Sequence, residues 1–223
     1  MHTRISDETA AQFSRSIRRW FKRNSRDLPW RRTRDPYRIL VSELMLQQTQ
    51  VSRVVTYYDE FLARFPTLSH VARAKPARVM DAWDGLGYYA RARNLHRLAR
   101  EITDSGRDKS ATLPADPTEL RALPGIGAYT AGAVASFAYE RRAPLVDTNV
   151  ARVLARVFVP RATLKTTAGS KRIWSIAERV LPKSGKAAWT HNQGLMELGA
   201  LVCTARIKRC QSCPVRAICR SAE

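Results

Sequence analysis

Four cysteines are all this chain contains, and they fall between Cys203 and Cys219, a span of 17 residues. Their spacing is Cys-x6-Cys-x2-Cys-x5-Cys, with Pro214 directly after the third. A segment with this pattern is built to fold back on itself around one metal centre. Zinc is the simplest occupant of four thiolates, but zinc sites usually pair their ligands as two Cys-x2-Cys knuckles. Only one such pair is present, at Cys210 and Cys213. An iron–sulfur cluster held by four cysteines fits the spacing at least as well. No apolar run marks Met1 to Arg18 as a signal peptide, and no stretch approaches the length of a membrane span. A cytoplasmic setting with reduced thiols is therefore expected, where clustered cysteines are metal ligands more often than disulfides.

The rest of the chain reads as helices joined by short turns marked by Pro and Gly, so an all-α fold is expected. Ala10 to Arg23 is amphipathic. Asp35-Pro36 and Asp116-Pro117 are helix starts, each with Asp as N-cap and Pro at the first helical position, and Glu119 is placed to reach back to its cap. The first of these helices runs through Leu46 toward Val55 with a possible break. Pro76 opens a helix toward Trp83, Gly85-Leu86-Gly87 interrupts it, and Ala90 to Ile102 resumes. Ala128 to Tyr139 is a helix of small and apolar residues. Asn149–Phe158, Ser170–Leu181 and Thr190–Val202 complete the set. The 223 residues suffice for one large domain or two small ones.

Lys and Arg number 39 against 19 Asp and Glu, a formal net charge of +20. The arginines are spread along the chain rather than confined to a tail, so a polyanion such as nucleic acid is the expected partner. Leu123-Pro-Gly-Ile-Gly127 is a tight turn between helices. Gly125 and Gly127 would let its backbone come close to a phosphate, and the following helix start would offer its amides, a contact that positions without reading sequence. Asp147 closes an apolar run at a helix start, where an ionised carboxylate is favoured. Glu43 sits in an otherwise apolar helix, where desolvation would raise its pKa and let it hold a proton near neutrality.

Taken together, the hairpin, Asp147 and the cysteine pattern resemble the helix–hairpin–helix DNA glycosylases of the endonuclease III and MutY group, over nearly the whole chain from Leu28 to Cys219. The likeness is greatest to the MutY adenine glycosylases. Ser42-Glu-Leu-Met-Leu-Gln-Gln-Thr-Gln-Val51, Gly85-Leu-Gly-Tyr-Tyr-Ala-Arg-Ala-Arg-Asn-Leu95, Val146-Asp-Thr-Asn-Val150 and Asn192-Gln-Gly-Leu-Met-Glu-Leu-Gly199 carry it. The resemblance implies two helical domains with a DNA cleft between them. One, over 28–140, would be a six-helix barrel bearing the hairpin. The other, over 1–27 and 141–223, would carry one four-iron four-sulfur cluster on Cys203, Cys210, Cys213 and Cys219. The partner would be double-stranded DNA with a mismatched or damaged pair, met by a monomer at the nucleoid. Glu43 matches the general acid and Asp147 the catalytic aspartate, with Asn149 as its polar neighbour. Tyr129 stands where bifunctional members carry a lysine that attacks the sugar, which implies a monofunctional enzyme. Gln48 and Thr49 match residues that fill the gap left by the extruded base. Tyr88 and Leu86 match a wedge beside the orphan base. Arg26, Trp30, Arg31, Leu46 and Gln193 match the adenine pocket. Among Arg91, Arg93, Arg152 and Arg156, some phosphate contacts are expected.

Two departures from the pattern bear on substrate. The sequence runs only four residues past Cys219, so the MutT-like domain that helps most MutY proteins recognise 8-oxoguanine is not expected. Thr148 also stands where MutY proteins often have glycine. The thymine and uracil glycosylases of mismatches with G share a tyrosine at the position of Tyr129, and they form the alternative enzyme reading. A non-catalytic iron–sulfur DNA-binding protein is the alternative outside enzymes. The intact Met-Leu-Gln-Gln-Thr segment favours adenine.

Overall fold

The computed structural model describes residues 5–104 and 112–222. Among these residues the chain is all-α, as its pattern predicts. Eleven helices follow in order: α1 (Asp7–Asn24), α2 (Pro36–Leu46), α3 (Val51–Arg64), α4 (Leu68–Arg73), α5 (Pro76–Asp81), α6 (Ala90–Asp104), α7 (Pro117–Ala122), α8 (Ala128–Tyr139), α9 (Thr148–Phe158), α10 (Thr167–Val180) and α11 (Gly185–Leu201). The only strand-like pairing among the described residues is one bridge between Cys203 and Lys208. The chain divides into two compact units, a central one over Asp27–Tyr139 and a discontinuous one made of Met1–Arg26 and Glu140–Glu223.

Local chemistry starts the helices. The Asp35 carboxylate accepts from the amides of Tyr37 and Arg38, and Asp116 accepts from Thr118 and Glu119. Asp147 accepts from Val150, and Ser6 and Thr166 cap α1 and α10 in the same way. Each bond satisfies an amide that has no partner inside the helix. The long pattern from Pro36 toward Val55 is broken between Leu46 and Val51, where Gln48 takes a positive φ of 57°.

In the central unit α2 lies inside. Ile39 through Met45 are all buried, so this helix has no wet face along that run. It packs on α8, where Thr130 through Phe137 are buried in turn. Most of the buried α8 positions are small residues, Ala, Gly, Ser and Thr. Phe61, Trp83, Leu95, Leu98 and Leu120 complete this core.

In the discontinuous unit α1 turns Phe13, Ile17 and Phe21 onto α11, and α9 packs on the other side of α11. At Gly199 a Cβ would lie 2.7 Å from the Asn149 Cβ, so α11 meets α9 at a distance only glycine allows. Beside Phe13 sits His191, fully buried, its ring edge-to-face with the phenyl group at 5.8 Å. Neither imidazole nitrogen has a hydrogen-bond partner among the described residues. Burial, with the Arg18 charge nearby, pulls its pKa down to about 3.

The folded state therefore keeps His191 neutral, whereas the unfolded chain takes up a proton below its ordinary pKa of about 6.5. Stability is complete above that value and falls as the pH drops toward 3, at most about 1.4 kcal/mol per pH unit. Between pH 7 and pH 5 this one residue should cost about 2 kcal/mol. Urea denaturation of His191→Leu should show that much less acid sensitivity than the unaltered protein. Equal losses in both would remove His191 as the cause.

Candidate active site and cysteine centre

The buried face of α2 carries one carboxyl group, Glu43, which is 3% exposed. A charge in such surroundings needs partners. The Tyr129 hydroxyl, from the second residue of α8, donates to Glu43 Oε2 at 2.6 Å. The phenol therefore meets the carboxyl group where the sequence pattern would allow a lysine.

Tyr129 follows the hairpin between α7 and α8. Gly125 has φ +77°, and a Cβ there would lie 2.6 Å from the Asn94 side chain on α6, so both conformation and packing require glycine. Gly127 borders open space. Its φ is not positive, and a Cβ there would meet nothing within 4 Å. Both glycines are exposed, so the turn's backbone faces outward ahead of the α8 N-terminus.

Two non-glycine residues of the central unit occupy left-handed backbone conformations, Gln48 at φ 57° and Tyr88 at φ 48°. Each such residue costs about 1–3 kcal/mol and persists only where its surroundings enforce it. Both side chains are exposed, Tyr88 to 60%. They line one open pocket with Gln47, Tyr89, Arg91 and Arg93. Tyr89 is tied back to Asp84 at 2.5 Å. Thr49 is half-buried and donates to the Gln47 carbonyl at 3.3 Å. Leu86, two residues before Tyr88, is buried.

Arg91 overturns the expectation of a phosphate contact. It is 6% exposed and turned inward, and its guanidinium donates to the carbonyls of Leu44, Met45, Gln47, Leu86 and Gly87 at 2.7–3.1 Å. Arg152 and Arg156 are engaged with the chain itself in the same way. Arg93 alone of the four is exposed.

In the discontinuous unit Asp147 caps α9, accepting from the Val150 amide at 2.6 Å and from the Asn149 side-chain amide at 3.0 Å. These bonds favour the carboxylate, as the helix start predicts. Burial outweighs them and pushes the Asp147 pKa above its usual range. The chain of contacts continues down α9. Arg152 donates to Asn149 Oδ1 at 2.7 Å, to the Gly199 carbonyl at 2.8 Å and to the Cys203 carbonyl at 2.9 Å. One turn on, Arg156 donates to Cys203 Sγ at 3.3 Å and to the Thr204 carbonyl at 2.7 Å.

Cys203, Cys210, Cys213 and Cys219 line a single pocket walled by Val153, Val157, Leu198, Val202 and Val215. All four are free thiols. No three His, Cys, Asp or Glu side chains among the described residues are gathered tightly enough to hold a single metal ion. The four cysteines share the lining of one apolar hollow. Burial pushes the Cys213 and Cys219 thiols up, the direction that a bound cationic centre reverses.

The residues expected around a base each make local contacts within their own unit. Trp30 is buried, edge-to-face with Tyr58 at 5.5 Å, and behaves as a core aromatic. Arg31 and Leu46 are half-buried, and Gln193 is buried within α11. The Arg26 guanidinium forms a two-pronged pair with Glu197, at 2.9 and 2.7 Å, and its backbone amide donates to the same carboxylate. Glu197, which sequence reading did not single out, is 1% exposed and is held by this pair. Its place four residues after Gln193, on the same buried side of α11, was the available signal.

Comparison with known proteins places the chain among DNA glycosylases. Human adenine DNA glycosylase is 40% identical over 97% of this chain and 40% of its own length. The adenine DNA glycosylase of Mycolicibacterium smegmatis is 47% identical over 88% of this chain and 65% of its own. The chain thus spans less than two thirds of these relatives. Among solved structures, a thermostable thymine-DNA glycosylase superposes with a TM-score of 0.86 at 28% identity over 97% of each chain. A trapped endonuclease III–DNA covalent intermediate gives 0.79 at 22% identity over 98% of each, a likeness of fold. Residues 41–179, from within α2 to the end of α10, match the HhH-GPD superfamily model, and the chain belongs to this superfamily of base excision DNA repair proteins.

Proposed function

We propose that this chain is the catalytic part of a monofunctional DNA glycosylase that excises adenine mispaired with 8-oxoguanine or guanine. The observation that carries the reading is the buried Glu43 carboxyl group bonded to the Tyr129 hydroxyl. Adenine leaves poorly as an anion, so an acid must protonate it as the N-glycosidic bond breaks. Glu43 supplies that proton to N7, the bonding pair departs with the neutral base, and an oxocarbenium-like sugar remains. The resulting Glu43 carboxylate keeps the Tyr129 hydrogen bond, which stabilises its charge inside an apolar helix. Asp147, as carboxylate, stabilises the sugar cation. Water then adds to C1′, and its proton passes to a carboxylate, closing a hydrolysis in which atoms and charge balance. Tyr129 forms no Schiff base, so the DNA strand stays intact.

Gln48, Thr49, Leu86 and Tyr88 would serve the extruded-base gap, and Gly125 and Gly127 a backbone phosphate. Arg26, Trp30, Arg31, Leu46 and Gln193 would shape the base pocket. We assign the four cysteines to one four-iron four-sulfur cluster. Bound there, the cluster would crosslink the segment from Cys203 to Cys219 through four thiolates and hold its basic loop in one shape. The thymine-DNA glycosylase likeness at a TM-score of 0.86 supports thymine opposite guanine as the second reading.

Single-turnover assays on A:8-oxoG, A:G, T:G and U:G duplexes separate the two readings. Adenine release from the first two, with strand cleavage only after alkali, is the expected result. Release of pyrimidine alone would sink the adenine assignment. Glu43→Gln should slow release by about 10²–10⁴-fold, and Asp147→Asn by at least about 10²-fold. Asn149→Ala removes a bond that lowers the Asp147 pKa. More of the carboxylate is then protonated at a given acidic pH, so the acid limb of the rate profile should move to higher pH. A limb that stays or moves lower would separate Asn149 from Asp147. Purified protein should be brown, with four irons and inorganic sulfide per chain (about four each for this cluster type). A colourless protein carrying zinc would refute the cluster.

A further inference from the structure

Gln48 and Tyr88 lie on separate segments, forty residues apart in sequence, yet both hold left-handed backbones at the rim of one pocket. One side chain reaches both. Arg91 Nη1 donates to the carbonyls of Leu44 at 2.7 Å, Met45 at 2.8 Å and Gln47 at 2.7 Å, the residues that lead into Gln48. Its Nη2 donates to Leu86 at 3.1 Å and Gly87 at 2.8 Å, and its Nε to the Tyr88 carbonyl at 3.3 Å. The guanidinium carbon lies 5.6 Å from the ring centroids of both Trp83 and Tyr88. The two arms of the fork thus divide between the two segments. Because the guanidinium is planar and rigid, it fixes their separation. The clamp is buried while Tyr88, which it holds, is 60% exposed.

We propose that Arg91 is a positioning residue that sets Gln48 and Tyr88 as a pair, so that filling the gap and wedging the duplex occur together when a base is extruded. The inference rests on the glycosylase reading above. It gives Arg91 a task in extrusion, separate from the bond-breaking step and from attraction to phosphate. Lysine keeps the charge but presents a compact ammonium that cannot span both sets of carbonyls in fixed geometry.

Arg91→Lys should therefore slow excision of adenine from a mispaired duplex by on the order of 10²-fold. When the same adenine faces an abasic site, extrusion costs little, and the variant should come much closer to the unaltered rate. With 2-aminopurine in place of the adenine, the fluorescence rise on binding should be lost in the variant at unchanged duplex affinity. Equal slowing on both duplexes, or no slowing, would overturn the clamp, because a merely structural arginine moves both rates together. Should Arg91→Lys melt below the assay temperature, Gly87→Ala tests the same arm. Gly87 has φ +68° with open space around a Cβ, so alanine strains the Tyr88 turn without disturbing the core. It carries the same expected selectivity, and equal slowing there is equally fatal. If the unaltered protein releases no adenine at all, the substrate reading fails. The 2-aminopurine signal with a mispaired duplex then still decides the clamp.

Discussion

A chain folded entirely into helices with short joints must dispose of the last carbonyls of every helix, since these have no partner inside the helix. At the ends of α2, α9, α10 and α11 arginines do it. Arg91 takes the carbonyls that end α2, and Arg152 and Arg209 take Gly199 and Leu201 at the end of α11. Arg142 takes Glu178 near the end of α10, and Arg220 takes Phe158 at the end of α9. The negative end of each helix dipole meets a positive charge, and a planar fork reaches several oxygens at once. After α2 and after α11 the arginine also bonds the irregular backbone beyond the helix. Those two joints are the ones that carry Gln48 and the cysteine segment.

The surplus of +20 must be read with this in mind. A basic composition suggests a polyanionic partner, and membership of a DNA repair superfamily is consistent with that. Yet Arg91, Arg152 and Arg156, three of the four arginines among which some phosphate contacts were expected, are committed to carbonyls of the chain itself. The charge available to an outside partner is smaller than the count suggests, and Arg93 and Arg206 are among the residues that expose theirs.

What was legible in the sequence follows the range of the interaction. Caps act over two or three residues, so Asp35, Asp116 and Asp147 announce their helices directly. The break after Leu46 was visible only as a possibility, because its cause, a guanidinium forty-odd residues on, leaves no local mark. Tyr129 meets Glu43 across 86 positions and Arg26 meets Glu197 across 171, and no periodicity reports such pairs. Glu43 could be picked out because a carboxylate in an apolar helix violates the pattern around it. Asp147 shows the limit of local reasoning. Its helix start favours the ionised form, but the burial that raises its pKa comes from the surrounding fold.

Helix α9 ties these scales together. Its N-cap is Asp147, and Asn149, Arg152 and Arg156 follow at spacings that place them along one side of the helix. Each contacts the next functional group in line: the cap carboxylate, the Asn149 amide, then the carbonyl and sulfur of Cys203. Gly199 makes this possible, because a side chain there would push α11 away from Asn149 and carry the Cys203 carbonyl out of reach. The glycine, which has no chemistry of its own, therefore matters to the electrostatics of Asp147. It belongs to the same short stretch of α11 as Gln193 and Glu197. A helix that looks like core packing in sequence thus sets the distance over which one carboxylate and one cysteine segment are held.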